Sequence, residues 1–151
     1  MCLLDTVDAW DASRIICSSE RHRASDNPLK NRDRLSTIHG IEFAAQAMAV
    51  HRGLIAGSAP APQVGLLLSV RDCHFLVPRL DDINERLSIR ASVVGASGDT
   101  QTYRFEIVAS ERRLLEGRAS VMLRSAGENE TGRQSAAQLQ EMLHDSAKSA
   151  R

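Results

Sequence analysis

Aromatic side chains make up only 3% of this 151-residue chain, with one tryptophan and one tyrosine. That scarcity argues against a surface that stacks nucleic-acid bases. Excess charge is missing too: 19 basic residues balance 19 acidic ones. A neutral chain has no bulk attraction for nucleic acid or an anionic membrane. No apolar run reaches the length of a bilayer span, so no membrane insertion is expected. Nor is a signal segment expected, because Met1 runs straight into CLLDTV. Cys2, Cys17 and Cys73 are odd in number and far apart. They fit neither a disulfide framework nor paired zinc ligands, and no ligand triple stands at metal spacing, so no metal is expected. Reduced, partly buried thiols fit a cytoplasmic protein. What is present is ordinary for one soluble domain: 42% apolar and 25% charged residues.

The chain is organised around Ser36 to Ile55, STIHGIEFAAQAMAVHRGLI. The pattern predicts one helix of about five turns. Ser36 or Thr37 is expected to cap it, since a hydroxyl can accept a bond from a free first-turn N–H. Its interior is nearly all apolar and rich in small residues, among them Ala44, Ala45 and Ala47. Such a helix is expected to be buried, with a sheet lying close against it. His39, Glu42 and Gln46 interrupt the pattern at i, i+3 and i+7 and share one face, while His51 falls off that stripe. A polar stripe on a dry helix is either a seam that fixes orientation or a reactive site.

Two strands are expected within residues 2–23, joined near Asp11–Ser13. Residues 24–35 form a polar loop with a turn at Asn27-Pro28, and GSAPAP breaks the chain after the helix. Residues 64–79 read as a long strand with a bulge within Ser69–Cys73. Residues 86–95 alternate, with Leu87, Ile89, Ala91 and Val93 on one face; Tyr103, Phe105, Ile107 and Ala109 do the same. Leu114 to Leu123 supply the last strand. One helix and a run of strands joined by short turns imply an α+β domain with a mostly antiparallel sheet. The domain is placed at 1–125, followed over 126–151 by a polar linker and a short helix or frayed tail. Open sheet edges favour pairing with another copy.

The stretch Gly40-Ile41-Glu42-Phe43-Ala44-Ala45-Gln46-Ala47 resembles the helix signature of the β-hydroxyacyl-(acyl carrier protein) dehydratases. In that family Glu or Asp is followed four residues later by Gln in an Ala-rich run. MCLLDTVDAW resembles the family's first strand. RHRASDNPL, HGIEFAAQAMAVH and SVRDCHFLVPRLDD are similar to a divergent branch linked with aryl-polyene-type lipid gene clusters. The resemblance covers roughly residues 1–124. It implies the hotdog fold, a curved antiparallel sheet around one long helix, working as a dimer; with the open sheet edges, a homodimer or a tetramer is expected. It further implies dehydration of a 3-hydroxyacyl thioester to the 2-enoyl thioester in fatty-acid or polyene-lipid synthesis. The expected partner is an acyl carrier protein or acyl-coenzyme A. No cofactor is implied beyond the phosphopantetheine that carries the substrate. The family's His-Phe-Pro-Gly loop is absent; the pre-helix loop offers His22 instead.

Dehydration needs a base for the α-proton, an acid for the departing hydroxyl and a donor for the thioester oxygen. Glu42, kept protonated by burial, is the expected acid. His22, facing the partner subunit's helix, is the first candidate base, with a solvated histidine between two arginines as the ordinary alternative. His39, at the helix start, is the rival base, with a cap or core histidine as its alternative. Gly40 would let the thioester approach free helix-start N–H groups, Phe43 would line the acyl channel, and Gln46 would orient Glu42. His51 and His74 read as structural or surface groups and His144 as a tail residue. The basic residues from Arg21 to Arg34 are either a solvated loop or a dock for an acidic carrier protein. Two other functions stay open: an acyl thioesterase on the same fold, in which Glu42 activates water, or a non-catalytic hotdog partner subunit.

Overall fold

A computed structural model of the chain describes residues 1–57 and 63–125. The expectations for residues 126–151, and most of the GSAPAP breaker, lie outside the described residues. In chain order come β1 (Thr6–Trp10), β2 (Arg14–Ser19), a 3₁₀ turn (Thr37–His39), α1 (Gly40–Ala56), β3 (Gln63–Phe75), β4 (Leu87–Ser97), β5 (Thr100–Ala109) and β6 (Arg112–Ser125). The strands form one antiparallel sheet in the order β1-β2-β4-β5-β6-β3. β1 and β3 are therefore its two edges.

Period-two burial fixes which face turns inward. Leu87, Ile89 and Ala91 of β4 and Tyr103, Phe105 and Ile107 of β5 are buried and pack against Phe43, Ala44, Ala47 and Met48 of α1. Small residues bring helix and sheet together: a Cβ on Gly65 of β3 would lie 2.7 Å from the Cβ of Ala49. The β1–β2 turn is held by Asp11, whose Oδ1 accepts from the backbone N–H of Ser13 (2.8 Å) and of Arg14 (3.0 Å). β3 breaks register between Leu67 and Ser69 and between Arg71 and His74, with Asp72 at φ 54°. The second shift falls where the bulge was expected, with Asp72 and Cys73 set against the single Gly117 of β6; the first, at Leu68, lies just before that stretch.

Several boundaries differ from the sequence reading. The helix does not begin at Ser36. Ser36 makes no side-chain cap bond, and the Thr37 hydroxyl donates instead to the Val77 carbonyl at 2.5 Å. A tertiary bond outcompetes the local cap, and a 3₁₀ turn precedes α1. The helix is not dry all round either: the sheet covers one side, and Val50 and Ile55 stay exposed. Leu3 and Leu4 precede β1 rather than belong to it. Leu3 plugs the core while every residue of β1 is exposed. β3 stops at Phe75, because the chain turns to meet the pre-helix loop: Leu80 N–H donates to Leu35 O at 2.8 Å, and the Asp81 carboxylate accepts from Leu35 N–H at 2.8 Å. Arg79 pairs with the same carboxylate, and that ion pair holds the Asp81 carboxyl well below the usual range.

Candidate active site

The polar stripe of α1 is held from one side by the start of the chain. Gln46 uses its whole amide. Its Oε1 accepts from Leu3 N–H at 2.8 Å, and its Nε2 donates to Met1 O at 3.2 Å and to Glu42 Oε1 at 3.3 Å. Leu3 is itself anchored, through its core side chain and through the Ser19 hydroxyl on its carbonyl. Glu42 thus sits in the first turn of α1, half-buried, with one oxygen oriented by a side chain that Leu3 N–H and Met1 O hold at two other points. Nothing in the i, i+3, i+7 spacing foretold the strap of residues 1–3, because it is a contact between segments more than forty residues apart.

His39 is the N-cap residue of α1. Its ring is half-buried and makes no hydrogen bond among the described residues. Beside it, Ile38 and Thr37 face Phe75, Leu76, Val77 and Pro78 across an apolar groove of about 490 Å³. Ile38 is 56% exposed and Leu76 54%, so the groove is open to solvent. The stripe, the half-buried imidazole and the groove lie at one end of the helix.

The other site candidates fall elsewhere. His22 is neither solvated nor open to a ligand within this chain. Its ring is fully enclosed, Nε2 lies 3.0 Å from Ile83 O, and Nδ1 has no partner. Because a carbonyl can only accept, Nε2 carries the proton. Burial keeps the ring neutral by pushing its pKa down. Its neighbours are the residues that lock the pre-helix loop: Asn27 Nδ2 donates to Arg21 O at 2.7 Å, and Asn27 Oδ1 accepts from Leu29 N–H. Gly40 faces the sheet, where a Cβ would come within 2.4 Å of Leu115 Cδ2. Its N–H already bonds back into the 3₁₀ turn. The glycine serves helix–sheet approach here, not thioester approach. Phe43 is fully buried in the core.

His51, off the stripe, is the centre of a second polar cluster at the far end of α1. Its Nε2 donates to Asp11 O at 2.7 Å, and its Nδ1 lies 2.7 Å from the Tyr103 hydroxyl, which is 2.9 Å from Gln101 Oε1. Burial pushes the Tyr103 phenol up to about 12. Every polar atom of the imidazole is matched. Spacing could not pair His51 with a residue on β5. Among the described residues, no three His, Cys, Asp or Glu side chains gather to hold a metal ion. No helix among them is long and apolar enough to cross a membrane.

A family model described as ApeP dehydratase, of the ApeP-like family, matches residues 1–131. Comparison with curated proteins found no match. Among solved structures, the dehydratase heterocomplex ApeI:P from Xenorhabdus doucetiae superposes with a TM-score of 0.75 at 22% identity, over 86% of this chain and 88% of that one. A thioesterase from Haemophilus influenzae follows with TM-score 0.56 at 12% identity, over 79% and 77%. A thioesterase variant from Staphylococcus aureus gives 0.59 at 14%, over 79% and 92%. The shared architecture is the hotdog: one helix against a curved six-stranded antiparallel sheet.

Proposed function

The chain belongs to the ApeP-like dehydratase family, and from that premise we propose that it eliminates water from a 3-hydroxyacyl thioester at the start of α1. The observation that carries this reading is the oriented carboxyl of Glu42, one turn from the imidazole of His39, which has no hydrogen bond among the described residues. An acid and a base on one helix face are what β-elimination needs. His39 takes the α-proton, the electrons form the α–β double bond, and Glu42 gives its proton to the departing hydroxyl, which leaves as water. Gln46 and the strap of residues 1–3 hold the acid in place. His22 supports the pre-helix loop rather than the reaction, because no part of its ring reaches solvent within the chain.

The acyl chain enters by the groove between Ile38 and Phe75–Pro78. That groove adjoins the end of β3 at Phe75, and β3 is a thirteen-residue edge strand with Leu67, Leu68 and Phe75 exposed. A long apolar edge calls for a partner strand. A second hotdog chain, a copy or a relative, pairs there and closes the groove; the ApeI:P neighbour is itself a dehydratase heterocomplex. The carrier is a phosphopantetheine thioester, on an acyl carrier protein steered by the basic pre-helix loop or on coenzyme A, in the cytoplasm.

The test is to incubate the protein, alone and with a hotdog partner, with a 3-hydroxyacyl thioester. Growth of enoyl absorbance is the expected result. Release of free thiol without enoyl product makes the protein a thioesterase. A stable complex that adds neither activity makes it a non-catalytic subunit.

A further inference from the structure

On the sheet face turned away from α1, cross-strand register lines up one row of cations. Arg14 of β2 pairs with Ser92 of β4, Ser92 with Arg104 of β5, Arg104 with Arg118 of β6, and Arg118 with Arg71 of β3. Directly paired residues share a face, and all four arginines are exposed. With strands about 4.8 Å apart, the row spans about 19 Å. Like charges set directly opposite one another destabilise a sheet. Yet Arg71, Arg104 and Arg118 have no carboxylate within ion-pair distance among the described residues.

Two carboxylates nearby, Glu106 and Glu116, are already taken. In the next row Arg90 pairs with Glu106 across β4 and β5. Arg113 binds Glu106 and Glu116 at 2.9 Å each, and His74 lies 3.3 Å from Glu116. Those ion pairs form one wall of a cavity of about 850 Å³, and Arg104 and Arg118 lie along it. Five arginines line this cavity against Asp72, Glu106 and Glu116, in a chain whose total charge is zero. Cation is thus concentrated on one patch: five arginines face three acids, and two of those acids, Glu106 and Glu116, are held by Arg90 and Arg113, which leaves Asp72 as the one cavity acid without an ion pair among the described residues.

We infer that this cavity binds a small ligand carrying two or more phosphate groups, with Arg104 and Arg118 as its main anchors. Guanidinium forks match phosphate oxygens two at a time, and successive anionic groups meet successive arginines along the row. The cavity is separate from the groove at the helix start, since Glu42, His39 and Gln46 are not among its walls. The inference does not depend on the dehydratase reading.

The probe is sodium tripolyphosphate, titrated calorimetrically into the full chain at fixed ionic strength. Saturable binding with one ligand per chain is expected. The exposed double variant Arg104→Gln/Arg118→Gln weakens it by more than about tenfold, because two charge-assisted contacts are removed. The control Arg32→Gln/Arg34→Gln, in the pre-helix loop, leaves it unchanged. No saturable binding overturns the inference, and so does equal weakening by both double variants, which is diffuse screening. Binding of poly-glutamate with none of tripolyphosphate also overturns it and makes the face a protein dock.

Discussion

The two ends of α1 carry the same kinds of residue and treat them in opposite ways. At the far end His51 is buried between Asp11 O and the Tyr103 hydroxyl, with both ring nitrogens matched. At the start, His39 is half-buried and has no hydrogen bond among the described residues, and Glu42, also half-buried, has one oxygen held by Gln46. A fully matched buried group costs little to keep and has nothing left to offer a ligand. A group that is oriented but incompletely matched keeps capacity for a substrate, at some cost in stability. Residue type is alike at the two ends of this helix; what differs is the count of bonds met among the described residues.

Replacing His39 by Ala should break the comparison most severely. If His39 is the base, turnover falls by roughly 10²–10⁴-fold, read as the rate of enoyl formation, with the denaturation midpoint little changed. Unaltered turnover makes His39 a cap residue and nothing more. His51→Ala should do the converse. Removing the ring strands the Tyr103 hydroxyl and Asp11 O and leaves a void, costing about 2–4 kcal/mol of stability in urea titrations. Activity per folded molecule should hold. A variant that loses activity without losing stability would abolish the distinction between the two ends.

Gln46→Ala sits between these extremes. It frees Glu42 and leaves the Leu3 N–H without its acceptor, so stability falls by about 1 kcal/mol. Turnover drops less than for His39→Ala, since the acid is misplaced rather than removed. The smallest effect is expected at His22. Burial lowers its folded pKa below the unfolded value near 6.5. The unfolded chain therefore binds the proton more readily, and the stability that a neutral His22 allows is complete above about pH 6.5 and lost as pH falls through the folded pKa. His22→Gln can still donate to Ile83 O, and it should flatten that acid-side decline while leaving activity near neutral pH intact. An unchanged pH profile of stability would show that His22 is not the group responsible.

Much of this was legible in local patterns. Strict alternation from Leu87 to Val93 and from Tyr103 to Ala109 has one half-buried solution, and the sheet adopts it. The helix, its stripe and the bulge before His74 follow from spacing and residue type as well. The resemblance carried by Gly40–Ala47, together with RHRASDNPL and SVRDCHFLVPRLDD, pointed to the family from local sequence alone. What stayed hidden depends on segments distant in sequence. Thr37 binds Val77 instead of capping, Leu3 leaves β1 to fill the core, and Gln46 clamps residues 1 to 3. His22, between Arg21 and Arg23, looks like a surface residue until the loop at Ile83 folds over it. Gly40 reads as room for a substrate until Leu115 occupies that room.

One measurement bears most directly on Glu42 as the acid of a dehydratase. Wild type and Glu42→Gln are compared in the rate of enoyl absorbance from a 3-hydroxyacyl thioester, at matched amounts of folded protein. Glutamine keeps the size and the bond to Gln46 but has no proton to give. The variant should bind a substrate analogue as wild type does and form enoyl product at least about a hundredfold more slowly. Wild-type enoyl formation by Glu42→Gln would contradict that account and return the stripe to the status of a structural seam.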